Sequence, residues 1–197
     1  EATIDSYGDF IYNLALLEEI ASEYVKTYPA KDPAALVIKY IRTGVERYQD
    51  DNWNTLAGPE NTSFTNYVAR MDAENGTSAM DLRDIKIDNF ILPNGNQTDF
   101  GHMFGCMNIS YVAPGSSDLS GWAGDLCDLL RYCVSQGNIT GTVDEMAAYI
   151  RQNCFGVDAS EAFGWDDFWG DLDAYYLVTE YQKFGGNKTF SEIMEAY

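Results

Sequence analysis

Histidine and basic residues are scarce in this chain of 197 residues. The single histidine, His102, excludes metal-dependent hydrolase sites that are built from several imidazole ligands. Twelve lysines and arginines stand against 31 aspartates and glutamates, which gives a net charge of −19 at pH 7. Such an acidic surface repels phosphate groups, so we expect no nucleic acid among the partners of this protein.

Several sequence signals for particular sites are missing as well. No run approaches the roughly 20 apolar residues that span a bilayer, so we expect no membrane insertion. The chain has no Gly-x-Ser-x-Gly sequence of a serine hydrolase and no Cys-x-x-Cys pair of a zinc site. The calcium-loop pattern is also missing. We therefore expect neither a metal nor a cofactor.

Acceptor sequences for N-linked sugar are abundant. The chain has six Asn-x-Ser/Thr sequences, where chance supplies about one or two, and none has proline in the middle position. They begin at Asn61, Asn75, Asn96, Asn108, Asn138 and Asn187. We expect five of them to lie in turns, and Asn108, at a predicted helix end, to be the poorest acceptor. This density predicts a secreted glycoprotein, and we interpret the opening Glu1-Ala2-Thr3 as that of a processed mature form.

The four cysteines predict two disulfides, as an even number does in a secreted chain. They are Cys106, Cys127, Cys133 and Cys154. Cys127 and Cys133 fall on one predicted helix, about 9 Å apart along its axis. A disulfide needs Cα atoms about 4.4–6.8 Å apart. We therefore expect each of these two to pair outside the helix, one with Cys106 and the other with Cys154.

The spacing of apolar residues is typical of α-helices along most of the chain. It predicts an all-α fold, a single domain over residues 1–197 with about seven helices, stapled by the two disulfides. The predicted helices include residues 99–108, 118–136 and 165–183, and Gly185-Gly186 ends the last of these. Asp32-Pro33 and the capping box from Thr189 to Glu192 mark two helix starts. Residues 85–98 predict one small β-hairpin with an Asn-Gly turn.

His102 is the residue that best suits acid/base chemistry. Asp99 precedes it by three residues, so both share one face of the predicted helix. If the next predicted helix runs antiparallel to this one after a loop near Pro114, Asp125 would lie at the same level as His102. A histidine oriented by a carboxylate can act as a general acid or base. Our preferred interpretation is that His102 has a structural role. A lone histidine held by an aspartate is more often a buried residue whose ring nitrogens are hydrogen-bonded, and no partner nucleophile is evident.

Two classes of function remain open at this level. The preferred one is a non-enzymatic extracellular glycoprotein that works by self-association or by binding another extracellular protein or glycan. The sequence motivates it through its six acceptor sites and its 14 tyrosines. The alternative is a secreted hydrolase that acts on glycans at acidic pH, with His102, Asp99 and Asp125 as its polar centre. An open groove over His102 would favour the enzyme, and a tyrosine-rich face would favour assembly.

Overall fold

The protein is mostly helical, as the apolar spacing predicts. The computed structural model describes residues 4, 6–45, 62–83, 90–93, 95, 97–98, 100–112 and 165–197. These residues form six α-helices, one 3₁₀ helix and two short strands. The α-helices are α1 (Tyr7–Thr27), α2 (Pro33–Val45), α3 (Thr62–Asn75), α4 (Phe100–Val112), α5 (Trp165–Lys183) and α6 (Phe190–Ala196). The 3₁₀ helix is Ala79–Arg83, and the strands are β1 (Phe90–Ile91) and β2 (Gln97–Thr98).

The predicted start of α2 is confirmed by its cap. Asp32 Oδ1 accepts hydrogen bonds from the N–H groups of Ala34 and Ala35, at 2.9 and 3.2 Å. These two donors have no acceptor within the helix, so the side chain of Asp32 satisfies them. Pro33 is the first helical residue, where its missing N–H costs no hydrogen bond. The boundary therefore follows directly from the Asp-Pro pair.

The two helix boundaries near the end of the chain are also confirmed. The bounds of α5 coincide with the predicted range 165–183. After it the chain turns through Gly185 and Gly186, whose φ angles of 58° and 78° are ones that side chains disfavour. The capping box is formed as predicted. Thr189 Oγ1 accepts from the N–H of Glu192 at 3.2 Å, and the Glu192 carboxylate accepts from the N–H of Thr189 at 2.9 Å.

The predicted hairpin is present as a short antiparallel pair. Phe90 lies opposite Thr98, and Ile91 lies opposite Gln97. Within the connection, the N–H of Gly95 donates to the carbonyl oxygen of Leu92 at 2.8 Å, and Gly95 has a φ of 88°. Each strand is only two residues long, and β2 packs against α5.

The core is rich in aromatic and aliphatic side chains from every α-helix. Helix α4 packs between α2 and α5, while α1 packs against α2, α3, α6 and the 3₁₀ helix. Phe10 of α1 meets Phe100 of α4 edge to face, with ring centroids 4.6 Å apart. Fully buried members include Phe10, Leu14, Leu17, Ile38, Ile41, Phe64, Val68, Phe100, Phe104, Ala174, Leu177 and Phe190. Burial of this apolar surface is the main force that holds the helices together.

One predicted helix end is wrong. Helix α4 continues to Val112 and does not stop near Asn108. Ser110 is buried and Tyr111 donates to Asp32 Oδ2 at 2.9 Å, so contacts with the core and with the start of α2 hold the extra turn. No glycine or proline follows until Pro114, so nothing in the sequence ends the helix at Asn108.

The remaining fold predictions fall on other residues. The predicted helix 118–136, and with it Cys127, Cys133 and Cys154, lies outside the described residues. Cys106 lies on α4 and is 5% exposed. The expected disulfide pairing therefore stays a prediction. Among the described helices, none is long and apolar enough to span a membrane.

Candidate functional site

The His102 centre proposed from the sequence is not tested by the described residues. His102 lies in the first turn of α4, whose backbone is described. The structure does not describe the position of its side chain. Asp99 and Asp125 lie outside the described residues. The acid/base role of His102 therefore stays a prediction.

Two predicted sugar acceptors are exposed, one at the end of a helix and the other in a turn. Asn75 is the last residue of α3, and Gly76, with a φ of 68°, redirects the chain directly after it. Asn187 lies in the turn between α5 and α6. Both side chains are exposed, so neither turn hinders an attached sugar.

Asn108 differs from these two acceptors. It is half-buried within α4, and Ser110, the third residue of its acceptor sequence, is only 3% exposed. The expectation that Asn108 is the poorest acceptor stays a prediction. Asn61, Asn96 and Asn138 lie outside the described residues.

A groove of about 500 Å³ runs beside α1, between the end of α3 and the start of α6. We call it the α1 groove. It is lined by Ala15, Leu16, Glu18, Glu19, Ile20, Ser22, Glu23, Met71, Asn75, Thr77, Thr189, Ser191 and Glu192. Its apolar lining residues are Ala15, Leu16, Ile20 and Met71. Four glutamates and no basic residue are among these lining residues, so the groove is both apolar and acidic.

Glu18 forms a wall of the groove and binds the start of α6. Its Oε1 accepts the N–H of Phe190 at 2.5 Å, and its Oε2 accepts the N–H and the hydroxyl of Ser191 at 3.2 and 2.5 Å. The residue is 8% exposed. Burial raises the pKa of Glu18, and this loss of hydration outweighs the opposing effect of the hydrogen bonds. Glu18 therefore joins α1 to α6 through a buried carboxylate.

A cluster of tyrosines lies where α5 meets α6 and the start of α1. We call Tyr7, Tyr176 and Tyr197 the tyrosine face. The rings of Tyr176 and Tyr197 stack with centroids 4.3 Å apart and planes 22° apart. Tyr176 is 38% exposed. The hydroxyl of Tyr7 donates to a backbone carbonyl of α6 at 2.8 Å.

Asp173 anchors this face from below. It is fully buried, and its two carboxylate oxygens accept the hydroxyls of Thr98 and Tyr197 at 2.7 and 2.6 Å. Burial raises the pKa of the Tyr7 phenol, and the charges of Asp173 and Glu195 add to that effect. The Tyr197 ring, on which Tyr176 stacks, is therefore held in place by a buried hydrogen-bonded carboxylate.

The carboxylates of the described residues do not form a metal cage. No group of three or more His, Cys, Asp or Glu side chains in this part of the chain converges closely enough to hold an ion. The groove glutamates are instead spread along α1 and the start of α6.

Sequence reasoning missed three buried carboxylates, those of Glu18, Asp72 and Asp173. Asp72 caps the 3₁₀ helix through the N–H groups of Ala79 and Met80, at 3.1 and 2.7 Å, and accepts the hydroxyl of Thr77 at 2.6 Å. A signal was present, because each carboxylate stands four residues from a buried apolar residue of its own helix. Those apolar residues are Leu14, Val68 and Leu177, respectively. An acidic residue on an apolar stripe indicates a buried, hydrogen-bonded group.

Two buried arginines were also missed. Arg42 of α2 is 1% exposed, and Arg83 of the 3₁₀ helix is 5% exposed. The guanidinium of Arg83 lies 5.1 Å from the centre of the Tyr40 ring, within the range of a cation–π contact. Arg83 therefore helps to hold the 3₁₀ helix to α2, the helix that carries Tyr40.

Comparison with known proteins matches part of the chain to a family model. A family model described as an uncharacterised protein, YkzU, matches residues 100–197, just under half of the chain. The matched part contains α4, α5 and α6, and therefore His102, Asp173 and most of the tyrosine face. No curated protein and no solved structure matches this chain.

Proposed function

We propose that this protein is a secreted N-glycoprotein that works by self-association or by binding, with the tyrosine face as its contact surface. The observation that carries the proposal is the stacked, part-exposed pair of Tyr176 and Tyr197 above the buried Asp173. Tyrosine is enriched at interfaces because its ring buries a large area while its hydroxyl keeps a polar partner.

The face is already ordered in the free protein. The hydroxyl of Tyr197 is bound to Asp173, and the hydroxyl of Tyr7 is bound to a carbonyl of α6. A partner that packs on these rings therefore loses little side-chain freedom on binding, which favours affinity. Fixed aromatic anchors of this kind are typical of the residues that dominate binding energy.

The high negative charge predicts how self-association should depend on salt. Two copies of a chain with a charge of −19 repel each other at long range. Salt shortens the range of that repulsion to about 8 Å at 0.15 M ionic strength. If the tyrosine face joins copies of this chain, association should therefore strengthen as salt is raised.

Sedimentation velocity on the full chain tests the proposal. The wild type, measured over rising concentrations at low and at physiological salt, should associate more at the higher salt. Tyr176→Ala should remove the association, because it deletes the exposed half of the stacked pair. The matched control is Tyr28→Ala, an exposed tyrosine just beyond the other end of α1, which should associate like the wild type.

A second arm separates self-association from binding. The same three proteins are applied to glycan arrays and to panels of extracellular proteins. Binding that Tyr176→Ala loses and Tyr28→Ala keeps would support a binding role for the tyrosine face. A wild type that stays monomeric and binds nothing in this arm, or a Tyr176→Ala variant that behaves like the wild type throughout, would refute the proposal.

A further inference from the structure

We propose that the α1 groove holds the sugar attached to Asn75, so that its first residues pack against the protein. The inference rests on the proposed glycoprotein character. It goes further by assigning an occupant to the groove, namely the neutral N-acetylhexosamine core that begins at the side chain of Asn75.

The attachment point lies in the groove wall. Asn75 is one of the lining residues and is exposed at the end of α3. The chain turns away directly after it, because the N–H groups of Gly76 and Thr77 both donate to the carbonyl of Asp72, at 2.8 and 3.1 Å. The Thr77 hydroxyl is bound to Asp72 as well. This turn is therefore fixed, and a sugar on Asn75 starts at the edge of the groove.

The groove surface suits a neutral sugar. Leu16, Ile20 and Met71 provide apolar surface for the C–H faces and the acetyl methyl of the sugar. The exposed glutamates Glu19 and Glu192 provide carboxylate acceptors for its hydroxyl and amide hydrogens. The volume of about 500 Å³ lies in the usual range for small-ligand sites, about 300–1,000 Å³.

Covalent attachment makes even weak packing effective. A tethered ligand reaches an effective concentration in the millimolar range when the tether spans the site. It also avoids most of the translational cost of association. The groove therefore does not need the affinity of a free-ligand site to keep the sugar docked.

Asn187 provides an internal control. It is an exposed acceptor in the turn from Gly185 to Lys188, and it does not line the groove. A sugar on Asn187 therefore starts outside the α1 groove, and it should project into solvent.

The test is the rate at which a peptide N-glycosidase releases each sugar from the folded protein. The full chain is made in a eukaryotic secretory host, and site-resolved mass spectrometry follows Asn75 and Asn187 separately. Release at Asn75 should be about tenfold slower than at Asn187, which corresponds to about 1.4 kcal/mol of docking free energy. After denaturation the two rates should be equal.

A variant that fills the groove distinguishes docking of the sugar from other causes of slow release at Asn75. Ser22→Trp places a large ring in the groove from an exposed position of α1 and should bring release at Asn75 up to the rate at Asn187. Tyr12→Trp, on the same helix but outside the groove, should leave the protection intact. Protection that survives Ser22→Trp would overturn the inference, since it would then come from the turn alone.

The possible failures are distinguishable. If neither Asn75 nor Asn187 carries sugar, the proposed glycoprotein character itself loses its support. If Asn187 carries sugar and Asn75 does not, or if both release equally fast from the folded protein, the docked sugar is refuted and the glycoprotein stands.

Discussion

Replacing Glu18 with alanine should lower the free energy of unfolding by about 2–4 kcal/mol. The change removes the acceptor for two N–H groups and one hydroxyl at the start of α6. A buried donor left without an acceptor costs about 1–3 kcal/mol. Two effects offset part of that cost: the burial penalty of the carboxylate disappears, and water can enter from the α1 groove.

Urea unfolding followed by circular dichroism measures the effect. The control is Glu19→Ala, the exposed neighbour on the same helix, which should change stability by less than about 0.5 kcal/mol. If Glu18→Ala were as mild as this control, the carboxylate would not be holding α6 to α1.

The pH dependence gives a second, independent check on Glu18. Burial raises the pKa of Glu18 in the folded state above its ordinary value of 4.5. The folded protein therefore holds this proton more tightly than the unfolded chain does. The resulting stabilisation is fully present below pH 4.5 and is lost as pH rises through the raised pKa.

The comparison with Glu18→Gln isolates this group from the other carboxylates. The stability of the wild type relative to Glu18→Gln should fall as pH rises from below 4.5 towards neutrality. A relative stability that rises over the same range would mean that the hydrogen bonds outweigh the lost hydration, contrary to our reasoning.

Three further stability predictions follow from single contacts. Tyr197→Phe should cost about 1–3 kcal/mol, since Asp173 loses one of its two hydroxyl donors, and Tyr28→Phe should be nearly neutral in the same thermal unfolding assay. Gly185→Ala should lower the free energy of unfolding by about 1 kcal/mol, because side chains disfavour a φ of 58°. Gly185→Asn should lower it less, and equal effects of the two variants in urea unfolding would contradict this. Phe104→Ala should cost about 3–5 kcal/mol in urea, as a fully buried ring leaves a cavity, and a loss below about 1 kcal/mol would contradict this core assignment.

The helix boundaries were predictable where one side chain decides them locally. The Asp32 cap, the Thr189 capping box and the turn at Gly185 each involve residues within three positions of one another, so the sequence contains the whole interaction. The end of α4 was not predictable in this way. Its last turn is held by the bond from Tyr111 to Asp32, residues that are 79 positions apart.

The candidate sites depended on tertiary contacts to a greater extent. The position of Glu18 on an apolar stripe was visible in the sequence, but its partners lie 172 and 173 residues away. In the same way, Asp173 meets Thr98 across 75 residues. Only the fold brings such groups together. The sequence therefore contains a signal for the burial of these carboxylates, but it does not identify their hydrogen-bond donors.

The long separation between Glu18 and Phe190 has a consequence for the order of synthesis. The groove wall formed by Thr189, Ser191 and Glu192 emerges from the ribosome long after Asn75, because chains are made from the N-terminus at about 5–20 residues per second. If the chain enters the secretory pathway, as we propose, a modifying enzyme would meet Asn75 while one side of the groove is still missing. When α6 then docks onto Glu18, it would close the wall beside a sugar attached earlier.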